Sequence, residues 1–309
     1  MSMRETISSR LTALLIVCTA TCSLLLGCGD ISQPAIHTLQ SMTPMEVVAG
    51  TGDFTLNLTG TNFNTSAMVT FGETTLKPSV ISPTQLSVLV PASAIEKSGT
   101  VNVAVTGSSA SNPLQFTINN PIPSMVSMSQ STGILNSAPF PVEIVGTNFV
   151  SNTMVNLGGL SLVPTSISPT RLSVVVPESA FLAAAIIPVT VFNPSPGGGA
   201  SSASTLTVLN PIPVLSALSV NRTIVGGSDF ALNIMGTGFA RGVTINFGST
   251  PLTPTIATPT QLTVQVPAAA IASTGVVAIT ATNLAPGGVF PVPLNLRSKI
   301  QFRPSPRCH

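Results

Sequence analysis

Between residues 86 and 105 apolar side chains fall on alternate positions. Leu86, Val88 and Val90 are followed by Pro91, then Ala94-Ile95, then Val101, Val103 and Val105. The series returns as Leu172, Val174, Val176, Pro177, Ala180-Phe181, Ile187, Val189 and Val191. A third version reads Leu262, Val264, Val266, Pro267, Ala270-Ile271, Val277, Ile279 and Ala281. A period of two places one face of a strand in a core and the other in solvent. Each run ends where Pro, with no N–H to give, cannot extend a ladder.

The upstream halves align as well. With Gly60, Gly146 and Gly236 as origins, a Phe stands six positions before (Phe54, Phe140, Phe230). Another stands three after (Phe63, Phe149, Phe239). "GTNF" recurs at 146–149 and becomes "GTGF" at 236–239. Each is followed by an apolar-Gly pair: Phe71-Gly72, Leu157-Gly158, Phe247-Gly248. Twenty-two residues after each origin begins "SPTQL", "SPTRL" or "TPTQL". In the "GTNF" phrase Gly and Asn are expected to accept turn conformations that other residues resist, with Phe re-entering the core. Repeats two and three keep a spacing of 90 residues. Repeat one is four residues shorter, and the deficit falls in 106–114, opposite "NPSPGGGASSAS" (193–204). A length change confined to Gly, Ser and Pro predicts a surface hairpin loop.

Each repeat thus predicts about seven short strands, the pattern of an all-β immunoglobulin-like sandwich. The chain has no Trp or Tyr and 13 Phe, most of them at repeated positions, so Phe is expected to fill the cores. Phe181 replaces Ile95 and Ile271 and is read as core too. The combination G-x-x-F, F-G and V-P, written three times, resembles the IPT/TIG family of immunoglobulin-like modules. These occur in plexins, in Rel-type transcription factors and in bacterial surface proteins. The resemblance implies three tandem E-set-like sandwiches at 33–119, 120–209 and 210–296. Three departures stand out: Leu157 for Phe, the shortened hairpin of the first repeat, and "QPAI" (33–36) in place of "NPIP" (120–123, 210–213).

The N-terminus reads as an address. Arg4 and Arg10 precede the apolar run "LTALLIVCTATCSLLLG", which ends at Cys28. Leu25-Leu26-Gly27-Cys28 resembles a bacterial lipobox. It implies a signal peptide over 1–27, cleavage between Gly27 and Cys28, lipidation of Cys28 with acyl chains such as palmitate, and a short tether over 28–32. Two or more acyl chains give stable anchoring where one is marginal. Gly29 after the Cys favours the outer membrane. Of the other cysteines, Cys18 and Cys22 leave with the signal, so no disulfide framework is expected from Cys308 alone.

Charge narrows the function. Only 6% of residues are charged, and from 31 to 296 five bases face seven acids. So few cations cannot neutralise many phosphates, which argues against nucleic acid. The two histidines, His37 and His309, lie outside the repeated motifs with no ligand-spaced Cys or acid. No metal, cofactor or catalytic set is expected, and the chain reads as non-enzymatic. Asp53 and Asp229 share a position, occupied by Pro139 in repeat two, and read as turn residues rather than calcium ligands. "PGGG" (196–199) lacks the Lys of a phosphate loop and reads as flexible. The basic stretch 297–309 fits no repeat and is expected to be disordered. The expectation is a lipid-anchored envelope protein, a rod on the order of 75–105 Å long. It would act as a spacer, an adhesion module or a protein-interaction module, using loops such as 193–204. A polysaccharide-binding lipoprotein, or part of a larger multidomain surface protein, remains the alternative.

Overall fold

The computed structural model describes residues 36–107, 109–288 and 300–303. It divides into two compact units at Ile118/Asn119, the second holding repeats two and three. In the first repeat one sheet runs Thr38–Thr43, Phe54–Thr61, Gln85–Val90, Val80–Ile81. The other runs Glu46–Val48, Leu114–Asn119, Gly99–Thr106, Met68–Phe71, Thr74–Leu76. That is nine strands rather than about seven. The additional ones, such as Val80–Ile81, are too short to leave a period-two signature.

The second repeat reproduces this order, with Thr132–Ile134 parallel to Ser204–Leu209 and a small strand, Gly199–Ala200, added on Ala185–Asn193. In the third, Phe230–Thr237 lies between Val214–Leu218 and Gln261–Val266. Opposite it are Thr244–Phe247 and Ile279–Thr282. Ile300–Arg303 closes this repeat, parallel to Arg222–Ile224 and antiparallel to Val276–Val277. Four residues expected to be disordered are therefore a strand, and the third repeat extends past 296.

The alternating residues meet between the sheets as expected. Leu56, Leu58, Leu86, Val88, Val103 and Val105 are buried, as are their counterparts in the other repeats except Ala281, which is partly buried. The aromatic filling differs. In the first core Phe71 and Phe116 meet edge-on at 5.1 Å, and Phe54 stacks on Phe116 at 5.6 Å. The second has Leu157 and Leu206 at those places. Its bulk comes from Phe181, fully buried in the 3-10 turn Glu178–Phe181 and stacked on Phe140 at 5.2 Å. That ring needs room. Gly133 stands where the other repeats have Val47 and Thr223, and a Cβ there would lie 3.0 Å from Phe181 Cδ1. A void of about 10 Å³ lies among Leu157, Leu206 and Val155, room for no more than one water molecule.

Candidate functional site

The lipidation and cleavage residues, Cys28 and Gly27, lie outside the described residues. The other singled-out positions, Gly60, Phe63 and their equivalents, form one corner per repeat. Gly60 N–H donates to Thr84 O at 3.0 Å and Phe63 N–H to Pro83 O at 3.1 Å. Gly146 and Phe149 bond Thr170 and Pro169 in the same way, and Gly236 and Phe239 bond Thr260 and Pro259. The two recurring phrases, "GTNF" and "SPTQL", are therefore halves of one corner joined by hydrogen bonds.

One detail differs from the sequence expectation. The left-handed residues are Asn62 (φ 61°), Asn148 (φ 63°) and Gly238 (φ 72°), not the leading glycines. Gly60, Gly146 and Gly236 are required by close approach. A Cβ on Gly60 would enter the Thr38 carbonyl oxygen and lie 2.5 Å from Phe63 Cζ. The opposing strand carries a bulge here, between Leu39 and Ser41, which pushes that carbonyl inward.

The loop 193–198 is ordered and occupied. Asn120 N–H donates to Pro196 O at 2.7 Å, Asn120 Nδ2 to Pro194 O at 2.7 Å, and Gly198 N–H to Asn120 O at 2.8 Å. Gly197 has φ 63°, and a Cβ on it would lie 2.8 Å from Asn120 O. The third repeat repeats this clasp. Asn210 N–H bonds Pro286 O at 2.8 Å and its Nδ2 bonds Leu284 O at 2.9 Å. Inside each loop a buried Asn completes the lock. Asn193 Nδ2 donates to Pro121 O and Asn148 O at 2.8 and 2.7 Å, and its Oδ1 accepts from Thr153. Asn283 Nδ2 bonds Pro211 O and Gly238 O, both at 2.7 Å. The sequence expectation of a free, flexible loop thus fails at 193–198. The signal that could have found the clasp was present. "NPSPGG" (193–198) and "NLAPGG" (283–288) share the 90-residue spacing of Asn120 and Asn210.

Comparison with known families decides the identity of the repeat. The model of the IPT/TIG domain matches at residues 38–118, 123–208 and 213–293. The chain belongs to the IPT/TIG domain family. No curated protein sequence matches it. Among solved structures it is similar to the plexin A4 full extracellular region, at 14% identity and a TM-score of 0.26 over 90% of this chain. It spans only 25% of that chain. It is similar also to the I9–I11 tandem of titin (8% identity, TM-score 0.35, 87% of this chain and 99% of that one). A third is the mixed-linkage glucan utilization locus SGBP-B of Bacteroides ovatus, solved with a mixed-linkage heptasaccharide (13% identity, TM-score 0.24, 88% and 68%). At these scores the likenesses add nothing to the family match.

The first TIG domain solves the same packing problem differently. Gly107 replaces the buried Asn of the other two, and His37 fills its place. Strand register sets His37 opposite Pro123 and Pro213, so the segment equivalent to "NPIP" is 34–37, one residue later than the sequence alignment placed it. His37 is 0% exposed, inside the corner rather than apart from it. Its Nδ1–H donates to Asn62 O at 2.8 Å, the carbonyl that Asn193 reaches in the second domain. Among the described residues Nε2 has no hydrogen-bond partner. A Cβ on Gly107 would lie 2.9 Å from that Nε2.

Asp53 and Asp229 brace the backbone. Their Oδ1 atoms accept from Ala92 N–H at 2.8 Å and Ala268 N–H at 2.7 Å, tying the entry of one strand to the 3-10 turn after another. Pro139 forgoes this brace in the second TIG domain. Among the described residues no group of three or more His, Cys, Asp or Glu is placed to hold a metal ion.

Proposed function

We propose that this chain is a non-enzymatic, lipid-anchored protein of the bacterial cell envelope whose tandem TIG domains act as a spacer and protein-interaction module. The observation that supports this best is the Asn210 clasp. Strand Ser204–Leu209 of the second domain runs straight into Asn210, whose backbone and side chain are both held by the 284–287 loop of the third. A tether between freely tumbling domains needs no such partner. Two hydrogen bonds at the junction, with Pro211 and Pro213 after it, restrict rotation and suit a module that keeps its faces at a fixed separation. The lipobox Leu25–Cys28 supports the anchor, and the absence of basic clusters in the domains suits a protein partner better than a nucleic acid.

Amide relaxation on the full chain tests the junction. Residues 171–176 and 230–237 tumble with one correlation time in the wild type and with two in Asn210→Gly. Separate values in the wild type would remove the support for a fixed spacer. The anchor is tested separately. Cys28→Ala moves the protein out of the membrane fraction, and full membrane attachment of that variant would overturn the lipobox reading.

A further inference from the structure

The segment that brings the chain into the second TIG domain changes sheets. Ser124–Met128 lies along Phe140–Thr147, and then Thr132–Ile134 lies along the last strand, Ser204–Leu209. Thr132 stands opposite Thr207, Gly133 opposite Val208 and Ile134 opposite Leu209. Two further bonds lengthen this contact: Thr207 N–H donates to Ser131 O and Leu135 N–H to Leu209 O, both at 2.9 Å. The pair is parallel. Among the described strands of this domain every other pair is antiparallel.

Parallel pairing has a mechanical consequence. The entering end of Thr132–Ile134 and the leaving end of Ser204–Leu209 lie at opposite ends of the pair. Tension on the chain therefore slides one strand along the other and loads all of their bonds together. In an antiparallel pair both ends would lie side by side, and tension would part the bonds one at a time. Parallel pairing is slightly less stable per residue, so what this pair contributes is resistance in one direction. Sliding also meets a side chain. The buried Phe181 ring lies against Gly133, where a Cβ would be 3.0 Å from Cδ1, and Phe181 O accepts from Asn136 N–H at 2.8 Å. Beyond the pair, Leu209 leads straight into Asn210, which the 284–287 loop of the third domain holds.

We infer that the second TIG domain carries tension along the chain, with the pair Thr132–Ile134 and Ser204–Leu209 as the element that resists it. Its siblings share the arrangement. Thr117 N–H donates to Met45 O at 3.1 Å in the first domain, and Arg222–Ile224 runs parallel to Ile300–Arg303 in the third. This function deepens the spacer reading and rests on it only for the source of the load, since a spacer fixed at one end and bound at the other is pulled. The resistance belongs to the domain itself.

Constant-force unfolding of single molecules tests it on the full chain in detergent, with azide-bearing residues as attachment points. Points at 122 and 212, both exposed, pull along the parallel pair. Points at 139 and 178 pull apart the antiparallel ladder that begins at Phe140 and Val176. At equal force the domain unfolds at least about tenfold more slowly through 122 and 212, because several bonds must break together. Equal rates, or faster unfolding through 122 and 212, overturn the inference. Leu135→Pro removes the N–H that reaches Leu209 O. It speeds unfolding about 2- to 13-fold through 122 and 212 and leaves the rate through 139 and 178 unchanged. A variant that speeds both alike shows a bond serving general stability, and the inference fails. The measurement involves no membrane, so its failure is separate from that of the Cys28→Ala test.

Discussion

His37 and Gly107 of the first TIG domain together replace the Pro and Asn found at those places in the other two, and a double-mutant cycle measures that exchange. Among the described residues, His37→Pro alone removes the donor that reaches the part-buried Asn62 carbonyl, and it leaves the volume of the fully buried ring empty. An unsatisfied buried acceptor costs about 1–3 kcal/mol. Gly107→Asn alone drives a Cβ to 2.9 Å from His37 Nε2. Overpacking of that kind costs about 1–3 kcal/mol. Gly107 has no left-handed φ, so the new residue meets no backbone strain. Combining the two rebuilds the arrangement of Asn193 with Pro123, where Nδ2 reaches the equivalent carbonyl at 2.7 Å. The double variant is therefore more stable than either single one, and the coupling exceeds the ~0.5 kcal/mol scatter of independent sites. Hydrogen exchange of amides 54–61 and 85–90 in the full chain reads this locally, which matters because several domains do not unfold as one two-state system. Each single variant speeds exchange by about 5- to 150-fold, and the double variant recovers most of it. Additive losses would refute the equivalence of imidazole and carboxamide.

The second core offers another compensated pair. Gly133→Val destabilises this domain by about 1–3 kcal/mol through collision with Phe181, and adding Phe181→Ile, the residue of the other domains, restores it in calorimetry of the full chain. Conversely, the Arg171–Glu143 ion pair is exposed on both partners. Arg171→Ala therefore changes thermal stability by less than about 0.5 kcal/mol, and a larger loss would show that this pair does more than its exposure allows.

The sandwich was legible because a two-residue period constrains every core position at once. A slip by one residue would expose Leu86, Val88 and Val90 together. The corner was legible as a recurrence, but the reason for its glycine was not. The collision that forbids a Cβ on Gly60 involves Thr38, 22 residues upstream, and sequence spacing carries no information on how closely two strands approach. The closing strand Ile300–Arg303 escaped for a different reason. Val277 lies 90 residues after Ile187, yet its partner Ile300 lies 94 after Leu206, the partner of Ile187. Four extra residues broke the register, and Arg297, Lys299 and Arg303 gave the segment the composition of a solvated tail. Composition misled at 193–198 as well. Pro, Ser and Gly suggested freedom where glycine allows a neighbouring backbone to come close.

Three versions of one domain in one chain also act as internal controls on what each residue is for. Positions alike in all three, such as the corner Gly and Phe, answer to the fold. Positions that change in compensated sets answer to it as well: Phe181 with Gly133, and His37 with Gly107. The clasp divides the domains by context. The two that follow another TIG domain hold an Asn of the incoming segment, Asn120 or Asn210. The first, which follows residues 1–35, has no such loop and seals its corner with His37. The first domain's loop over 106–114 is four residues shorter and lacks the Pro-Gly-Gly of 196–198 and 286–288, so the corner is built there from a different set of residues.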